Sequence, residues 1–108
     1  GYDMAYKWPE KDPDEQQDFS VDWSRFLGDN NLSSALFSVE DSDGTKVPVE
    51  TAQTVDGLQF LATTTSGNVA TARFAGGTNH KRYNITCRIT TTQGLTFERT
   101  VILPIRER

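Results

Sequence analysis

The C-terminal third of the chain has the clearest alternation of apolar and polar positions. Between residues 83 and 89 every second side chain is apolar, and the side chains between them are Asn, Thr and Arg. A Thr-Gln-Gly turn at residues 92–94 reverses the chain, and residues 97–105 then carry a second mostly apolar face. Because a period of two places alternate side chains on opposite faces of a strand, this pattern predicts a long antiparallel hairpin.

Upstream, shorter segments with strand-like patterns are separated by turn signals. Asp41-Ser42-Asp43-Gly44 predicts a hairpin turn, because Asp-Gly tolerates positive φ. Pro48 predicts that its segment lies at a sheet edge, where a missing backbone donor is harmless. The predicted upstream strands are residues 19–23, 32–39, 55–61 and 69–74.

These strands predict an all-β fold. Strands at spacings of roughly 8 to 12 residues indicate an immunoglobulin-like antiparallel β-sandwich, and we assign residues 19–108 to it as a single domain. The chain contains 14 threonines, which suit pleated sheets because they are β-branched. Tyr83 follows a glycine turn at the start of the penultimate strand, where a tyrosine corner would lie, and a plain half-buried tyrosine is an equal alternative.

Residues 1–18 follow neither a helical nor a strand period and contain Pro9 and Pro13, so they predict an extended N-terminal arm. This leader and the next few residues are rich in aromatic side chains, whereas disordered tails are poor in them. Two docking modes remain open: the arm folds back onto its own sandwich, or it docks on a neighbouring protein through Trp8, Phe19 and Trp23.

Length and composition restrict the class of protein further. The chain has 108 residues, which is enough for one core, and it has no apolar run long enough to span a bilayer. With one cysteine, Cys87, and one histidine, His80, it can form neither an internal disulfide nor a Cys/His zinc site. His80 lies in a turn-like stretch and Cys87 on an apolar strand face. An enzyme is therefore the least supported class, and we expect no cofactor.

The net charge of −4 conceals a division along the chain. Residues 1–63 hold 13 acidic and 4 basic residues (−9), and residues 64–108 hold 2 acidic and 7 basic residues (+5). One interpretation is simply solvated strand faces. Another is complementarity between copies in a homo-oligomer, with Arg88 and Arg99 as contact residues. Nucleic-acid binding is disfavoured, because the aromatic and basic residues lie in different parts of the chain.

Several motifs give the chain a resemblance to a known family, which covers nearly the whole chain although residues 40–67 carry no recognisable motif. It resembles the phage fiber-tail adaptors, small structural proteins of tailed phages. The motifs are Trp8-Pro9-x-Lys11-Asp12-Pro13-Asp14-Glu15, Asp18-Phe19-x-x-Asp22-Trp23-Ser24, Gly76-Gly77-Thr78 leading to Tyr83, and Ile89-Thr90-Thr91-Thr92-x-Gly94.

The resemblance implies a non-enzymatic virion component that joins the phage tail or neck to fibers. Its expected partners are connector proteins of the tail or neck and the tail fiber, in a symmetric homo-oligomer without nucleic acid or membrane. We expect synthesis in the host bacterial cytoplasm. The predicted partner-binding residues are Trp8, Asp12, Pro13, Asp14, Phe19 and Trp23.

The alternative function is an independent immunoglobulin-like recognition or decoration module that binds a host-surface or carbohydrate ligand. Sugar binding requires exposed aromatic side chains on a rigid platform. The phenylalanines outside the leader lie in segments with core-like alternation, which disfavours this alternative.

Overall fold

The computed structural model describes residues 6–50 and 53–108. They form a β-sandwich, so the all-β prediction is confirmed. In chain order the elements are β1 (Tyr6–Lys7), β2 (Gln17–Asp22), α1 (Ser24–Leu27), β3 (Leu32–Glu40), β4 (Lys46–Pro48), β5 (Thr54–Val55), β6 (Leu58–Ser66), β7 (Val69–Gly76), β8 (Arg82–Thr91) and β9 (Thr96–Pro104). One sheet has the strand order β1-β9-β8-β3-β4, and the other has the order β2-β7-β6-β5. No helix in the described part of the chain is long and apolar enough to cross a membrane.

The core lies between the two sheets and follows the alternation of the sequence. Tyr83, Ile85, Cys87 and Ile89 on β8 are all buried, as their spacing predicts. Burying one large apolar side chain stabilises a fold by about 1.5–3 kcal/mol, so this face anchors the five-stranded sheet. The largest core side chains from other elements include Trp23, Phe37, Phe74, Leu58 and Leu103.

The predicted hairpins form at the expected places. β8 and β9 pair antiparallel from Arg82↔Pro104 to Thr90↔Thr96. Residues 41–44 connect β3 to β4, and the Asp41 carboxylate fixes this turn by accepting the amides of Asp43 and Thr45, each at 2.9 Å. β4, which contains Pro48, is an edge strand as predicted.

The strand predicted over residues 55–61 is wrong, because the chain turns in its middle. Asp56 and Gly57 have φ angles of 47° and 87°, and they connect β5 to β6 as a two-residue hairpin loop. Positive φ at both central residues is the geometry that Asp-Gly favours in such loops. A Cβ at position 57 would also lie only 2.9 Å from Thr78 Oγ1, so glycine is required there.

The β5–β6 loop supplies a hydrogen-bond acceptor for Tyr83. The buried Tyr83 hydroxyl donates to the Asp56 carbonyl at 2.6 Å and accepts from the Thr78 amide at 2.9 Å. A bond back to the backbone five residues upstream is the geometry of a tyrosine corner. Of the two alternatives left open by the sequence, the structure selects the corner, which connects β8 to the β5–β6 loop.

The described part of the predicted arm, residues 6–18, is extended and lies on the chain's own sandwich. β1 pairs in parallel with β9, and Trp8 N donates to Ile102 O at 2.9 Å. Farther along, Lys11 forms a parallel bridge with Ile105. The predicted strand at residues 19–23 is β2, which begins earlier, at Gln17, and ends before Trp23. Residues 1–5 lie outside the described residues, and the domain boundary at residue 18 stays a prediction.

Replacing Tyr83 with phenylalanine should lower the free energy of unfolding by about 1–3 kcal/mol, because it leaves the Asp56 carbonyl and the Thr78 amide without their partner. Urea denaturation measures this change. The matched control is Tyr6→Phe at an exposed position, where we expect less than about 0.5 kcal/mol. Equal effects of the two substitutions would contradict a role for the corner.

Candidate functional site

Lys11, in the leader, has a fully buried side chain. Its exposed fraction is 0%, and its ammonium donates to the carbonyls of Gly76 at 2.6 Å and Asp12 at 2.8 Å. Burial lowers the pKa of Lys11, and the nearby carboxylates oppose that shift. Because Gly76 ends β7 in the other sheet, this side chain fastens the leader to both sheets.

Asp12 fastens the next turn of the leader. One carboxylate oxygen accepts the Asp14 amide at 2.9 Å, and the other accepts the Arg108 amide at 3.0 Å. These two bonds hold the pKa of Asp12 below its usual value. Arg108 also forms an ion pair with Glu15, so the leader and the C-terminal residues hold each other in place.

Trp8 covers the edge where the two sheets approach each other. Its ring centroid lies 5.2 Å from that of Phe19, and its indole nitrogen donates to Ser20 O at 2.9 Å. That carbonyl belongs to the edge strand β2, so the indole satisfies one of the backbone groups that an edge leaves open. Trp8 and Phe19 thus belong to the core of the chain itself.

These contacts bear on the six predicted partner-binding residues. The side chains of four of them are buried in the chain itself, and Pro13 is half-buried while Asp14 is exposed. The prediction that they bind a partner stays a prediction, and only Pro13 and Asp14 offer accessible surface for it. The four buried residues are Trp8, Asp12, Phe19 and Trp23.

A row of stacked side chains lies at one side of the sandwich, with Tyr6 and Phe26 exposed and Trp23 buried beneath them, and we call it the aromatic patch. Arg99 lies between the rings of Tyr6 and Trp23, 4.5 Å and 4.6 Å from their centroids. Phe26, on α1, meets the rings of Trp23 and Phe97 edge-on, with centroids 5.7 Å and 4.8 Å apart. Phe26 is 54% exposed and Tyr6 is 49% exposed. The patch consists of Tyr6, Trp23, Phe26, Phe97 and Arg99.

A groove of about 200 Å³ adjoins the patch between β1 and β2. Tyr6 and Arg99 line one part of it, and Val21 and Asp22 on β2 line another. The groove thus combines apolar surface with two basic side chains, Lys7 and Arg99, and one acidic side chain, Asp22. Such a mixture is typical of protein interfaces.

Both predicted oligomer-contact arginines have partners within the chain. Arg88 on β8 forms an ion pair with Glu98 on β9 at 3.1 Å, directly across the hairpin. Arg99 is stacked in the aromatic patch. Their role between copies stays a prediction, and it would require them to share or exchange these partners.

Ion pairs join the acidic part of the sequence to the basic part at a few points. β2 lies beside β7, which brings Asp18 to Arg73 at 2.7 Å. Asp56, in the β5–β6 loop, meets Lys81 at 3.5 Å. Each exposed pair contributes only about 0–1 kcal/mol, so these pairs add little stability.

Cys87 and His80 are the side chains from which nucleophilic or base chemistry would be expected. Burial raises the pKa of the Cys87 thiol to about 11, while the Trp23 indole and the Arg99 charge lower it by smaller amounts. The thiol is thus protonated at neutral pH and inaccessible. His80 lies in a turn at φ 70°, where its amide donates to Ile105 O. In residues 6–50 and 53–108, no three metal-binding side chains come together.

Comparison with known proteins identifies the family. The profile of a family described as "Podophage GP4 fiber-tail adaptor protein gp77" matches residues 11–104, so the chain belongs to this family of phage fiber-tail adaptors. The resemblance inferred from the motifs is therefore confirmed. No curated protein matches the chain.

A solved structure supports the fold. The "Solution structure of the PKD domain from KIAA 1837 protein" is similar over 100% of this chain and 83% of that one, with a TM-score of 0.51 and 19% sequence identity. The likeness supports the immunoglobulin-like sandwich and carries no information on function.

Sequence reasoning missed the exposed part of the aromatic patch. Phe26 lies outside all of the predicted strands, although it follows Trp23 by three residues, the spacing of neighbours on one helix face. The stacking of Arg99 between two rings had no sequence signal, because it depends on β1, β9 and the start of α1 meeting in space.

Replacing Lys11 with methionine should lower the free energy of unfolding by about 1–3 kcal/mol, because the Gly76 and Asp12 carbonyls lose their buried donor while the volume is nearly kept. Lys7→Met, at an exposed position of the same leader, is the matched control. Chemical denaturation of both variants tests the difference. Unchanged stability of Lys11→Met would show that the ammonium does not fasten the leader.

Asp12 should contribute stability that disappears in acid. Its folded pKa is depressed below the value of an unfolded aspartate, so its contribution is present above the unfolded pKa and is lost as pH falls through the folded pKa. Urea denaturation from pH 7 to about pH 2 should show that Asp12→Asn is less stable than wild type at neutral pH and that the gap narrows in acid. A gap independent of pH would contradict this origin.

Proposed function

We propose that the chain is a non-enzymatic structural adaptor that links the phage tail or neck to fibers through protein-protein contacts. Family membership supports a structural role in the virion. Its partners in this proposal are connector proteins of the tail or neck and the tail fiber. The chain is made in the host cytoplasm and then assembles in the virion as a homo-oligomer.

Among the described residues, the aromatic patch is the observation that best supports the proposal. Tyr, Trp and Arg side chains dominate the binding energy of protein interfaces, because they combine large apolar area with hydrogen-bonding or charged groups. Here Arg99 is held between two rings and Phe26 stands exposed on a four-residue helix. A rigid, preassembled patch loses little conformational entropy when a partner covers it.

In this proposal the leader acts mainly by building the surface. Lys11 and Asp12 fix residues 6–18 against the sandwich, and this holds Tyr6 beside Arg99. The accessible corner at Pro13 and Asp14 supplies a smaller, polar contact. The leader therefore mainly supports the aromatic patch. Within the leader, only Pro13 and Asp14 are proposed to contact the partner directly.

The second candidate function is recognition of a host-surface or carbohydrate ligand. Phe37 and Phe74 are fully buried, and Phe60 is half-buried against Phe74. These side chains therefore offer no platform for stacking a sugar ring. The edge-on packing of Phe26 on Phe97 also differs from a flat stacking platform. We therefore prefer a protein partner.

Phe26→Ser should weaken binding to tail particles that lack this protein by at least about tenfold, because it removes an exposed anchor of the patch. Cosedimentation of purified protein with such particles measures the affinity. The matched control is Leu61→Ser on β6, where a 38% exposed apolar side chain lies outside the patch. Unfolding measurements should show both variants to be folded.

Equal binding of Phe26→Ser and wild type would exclude the patch as the docking surface. Binding of the wild type to glycan arrays, with no binding to tail particles, would instead favour the recognition module.

A further inference from the structure

A second groove, of about 210 Å³, lies on the outer face of the five-stranded sheet, and we call it the basic groove. The register Lys7↔Ile102 and Arg82↔Pro104 places Lys7 and Arg82 on this face, on either side of β9. Arg106 follows β9 at the same rim. The lining residues are Lys7, Glu10, His80, Lys81, Arg82, Pro104, Ile105 and Arg106.

Three cations of the basic groove form no ion pair. In the described ranges 6–50 and 53–108, no carboxylate lies within 4 Å of Lys7, Arg82 or Arg106. Of the other basic residues in those ranges, five form ion pairs, and the rest are the buried Lys11, the stacked Arg99 and the exposed Arg25. The one acidic side chain of the lining, Glu10, does not balance the basic ones, and a bound anion would relieve the remaining repulsion between them.

The lining favours carboxylates over nucleic acid as that anion. Single-stranded nucleic acid is bound by several aromatic side chains on which successive bases stack, and the lining of this groove includes one such ring, the His80 imidazole. The net charge of −4 also opposes binding of a polyphosphate chain. An acidic segment of a protein matches the groove better.

The same sheet carries such a segment at its opposite edge. The β3–β4 turn presents Asp41 and Asp43, and neither forms an ion pair with a described residue. The preceding residue, Glu40, accepts a hydrogen bond from Asn84 on β8 at 2.7 Å. Asn84 is two residues from Arg82, so the acidic turn and the basic groove lie at the same end of the sheet.

We propose that the basic groove of one copy binds the Asp41–Asp43 turn of a second copy. β1 and β4 are opposite edges of one sheet, and the two complementary sites lie at one end of it. A contact between these two different sites is head-to-tail, so each copy can bind one neighbour on either side. Such a series of copies closes into a ring if the rotation from one copy to the next divides a full turn evenly. The inference rests on the proposed homo-oligomer and gives it a contact distinct from Arg88 and Arg99.

Sedimentation velocity of the full chain at low and high salt tests the contact. We expect concentration-dependent self-association that weakens as salt screens the exposed charges. Arg82→Glu with Arg106→Glu makes the groove acidic, and Asp43→Lys reverses one of the two charges of the turn while keeping the Asp41 bonds that fix it. Each change should raise the dissociation constant at least about tenfold.

An equimolar mixture of the groove variant and the turn variant should recover association, because the new positive charge at position 43 then meets the acidic groove. The matched controls are Arg25→Glu and Asp29→Lys. Both side chains are exposed, and they lie near α1, outside the groove and the turn. These control variants should associate as the wild type does.

Four outcomes would overturn the proposal: a wild type that stays monomeric at all concentrations in low salt, controls that weaken association equally, a mixture that does not recover it, or groove-dependent binding of a single-stranded oligonucleotide. None of them bears on binding to tail particles, so this contact can fail while the adaptor function stands.

Discussion

A buried ammonium group fastens the N-terminal leader to the four-stranded sheet. Lys11 gives up the solvation of its charge, which costs several kcal/mol unless other groups replace the water. The carbonyls of Gly76 and Asp12 replace part of it. The bond to Gly76 requires the backbone to turn sharply at the end of β7, and a side chain there would collide with Gly57 O at 2.8 Å. The leader, the β5–β6 loop and the end of β7 therefore depend on one another.

That fastening explains why charged residues separated along the chain are neighbours in space. Fixing the leader along β9 brings Glu15 to Arg108, and pairing β2 with β7 brings Asp18 to Arg73. A third pair, Asp56 with Lys81, also joins the −9 segment to the +5 segment. Of the bases in the described residues that form no ion pair, three line one groove.

The regular part of this fold is accessible from sequence because its determinants are local. The β8–β9 hairpin follows from alternation, and the Asp41–Gly44 turn and the edge position of Pro48 follow from backbone chemistry. Asp56-Gly57 carried an equally local turn signal, but the apolar residues on both sides read as one continuous strand. Turn chemistry overrode the hydrophobic pattern there.

The candidate site was harder to predict, for a physical reason. The aromatic character of Trp8, Phe19 and Trp23 predicts that these side chains are buried, but it does not show whether they are buried by their own chain or by a partner. The sequence left open whether the leader packs on its own chain or on a neighbouring protein. In the structure, the described part of the leader packs on its own chain. The patch around Arg99 required three distant segments to converge, so no spacing in the sequence could reveal it.

The parallel pairing of β1 with β9 also has a mechanical consequence. The backbone bonds from Trp8 N to Ile102 O, from Lys11 N to Pro104 O and from Arg106 N to Lys11 O lie in sequence along two strands that run in the same direction. Tension applied between the start of β1 and the end of β9 would load these bonds together, in shear, instead of opening them one at a time. A protein fastened in this way resists pulling along its strands, which suits a part that carries force between two larger bodies.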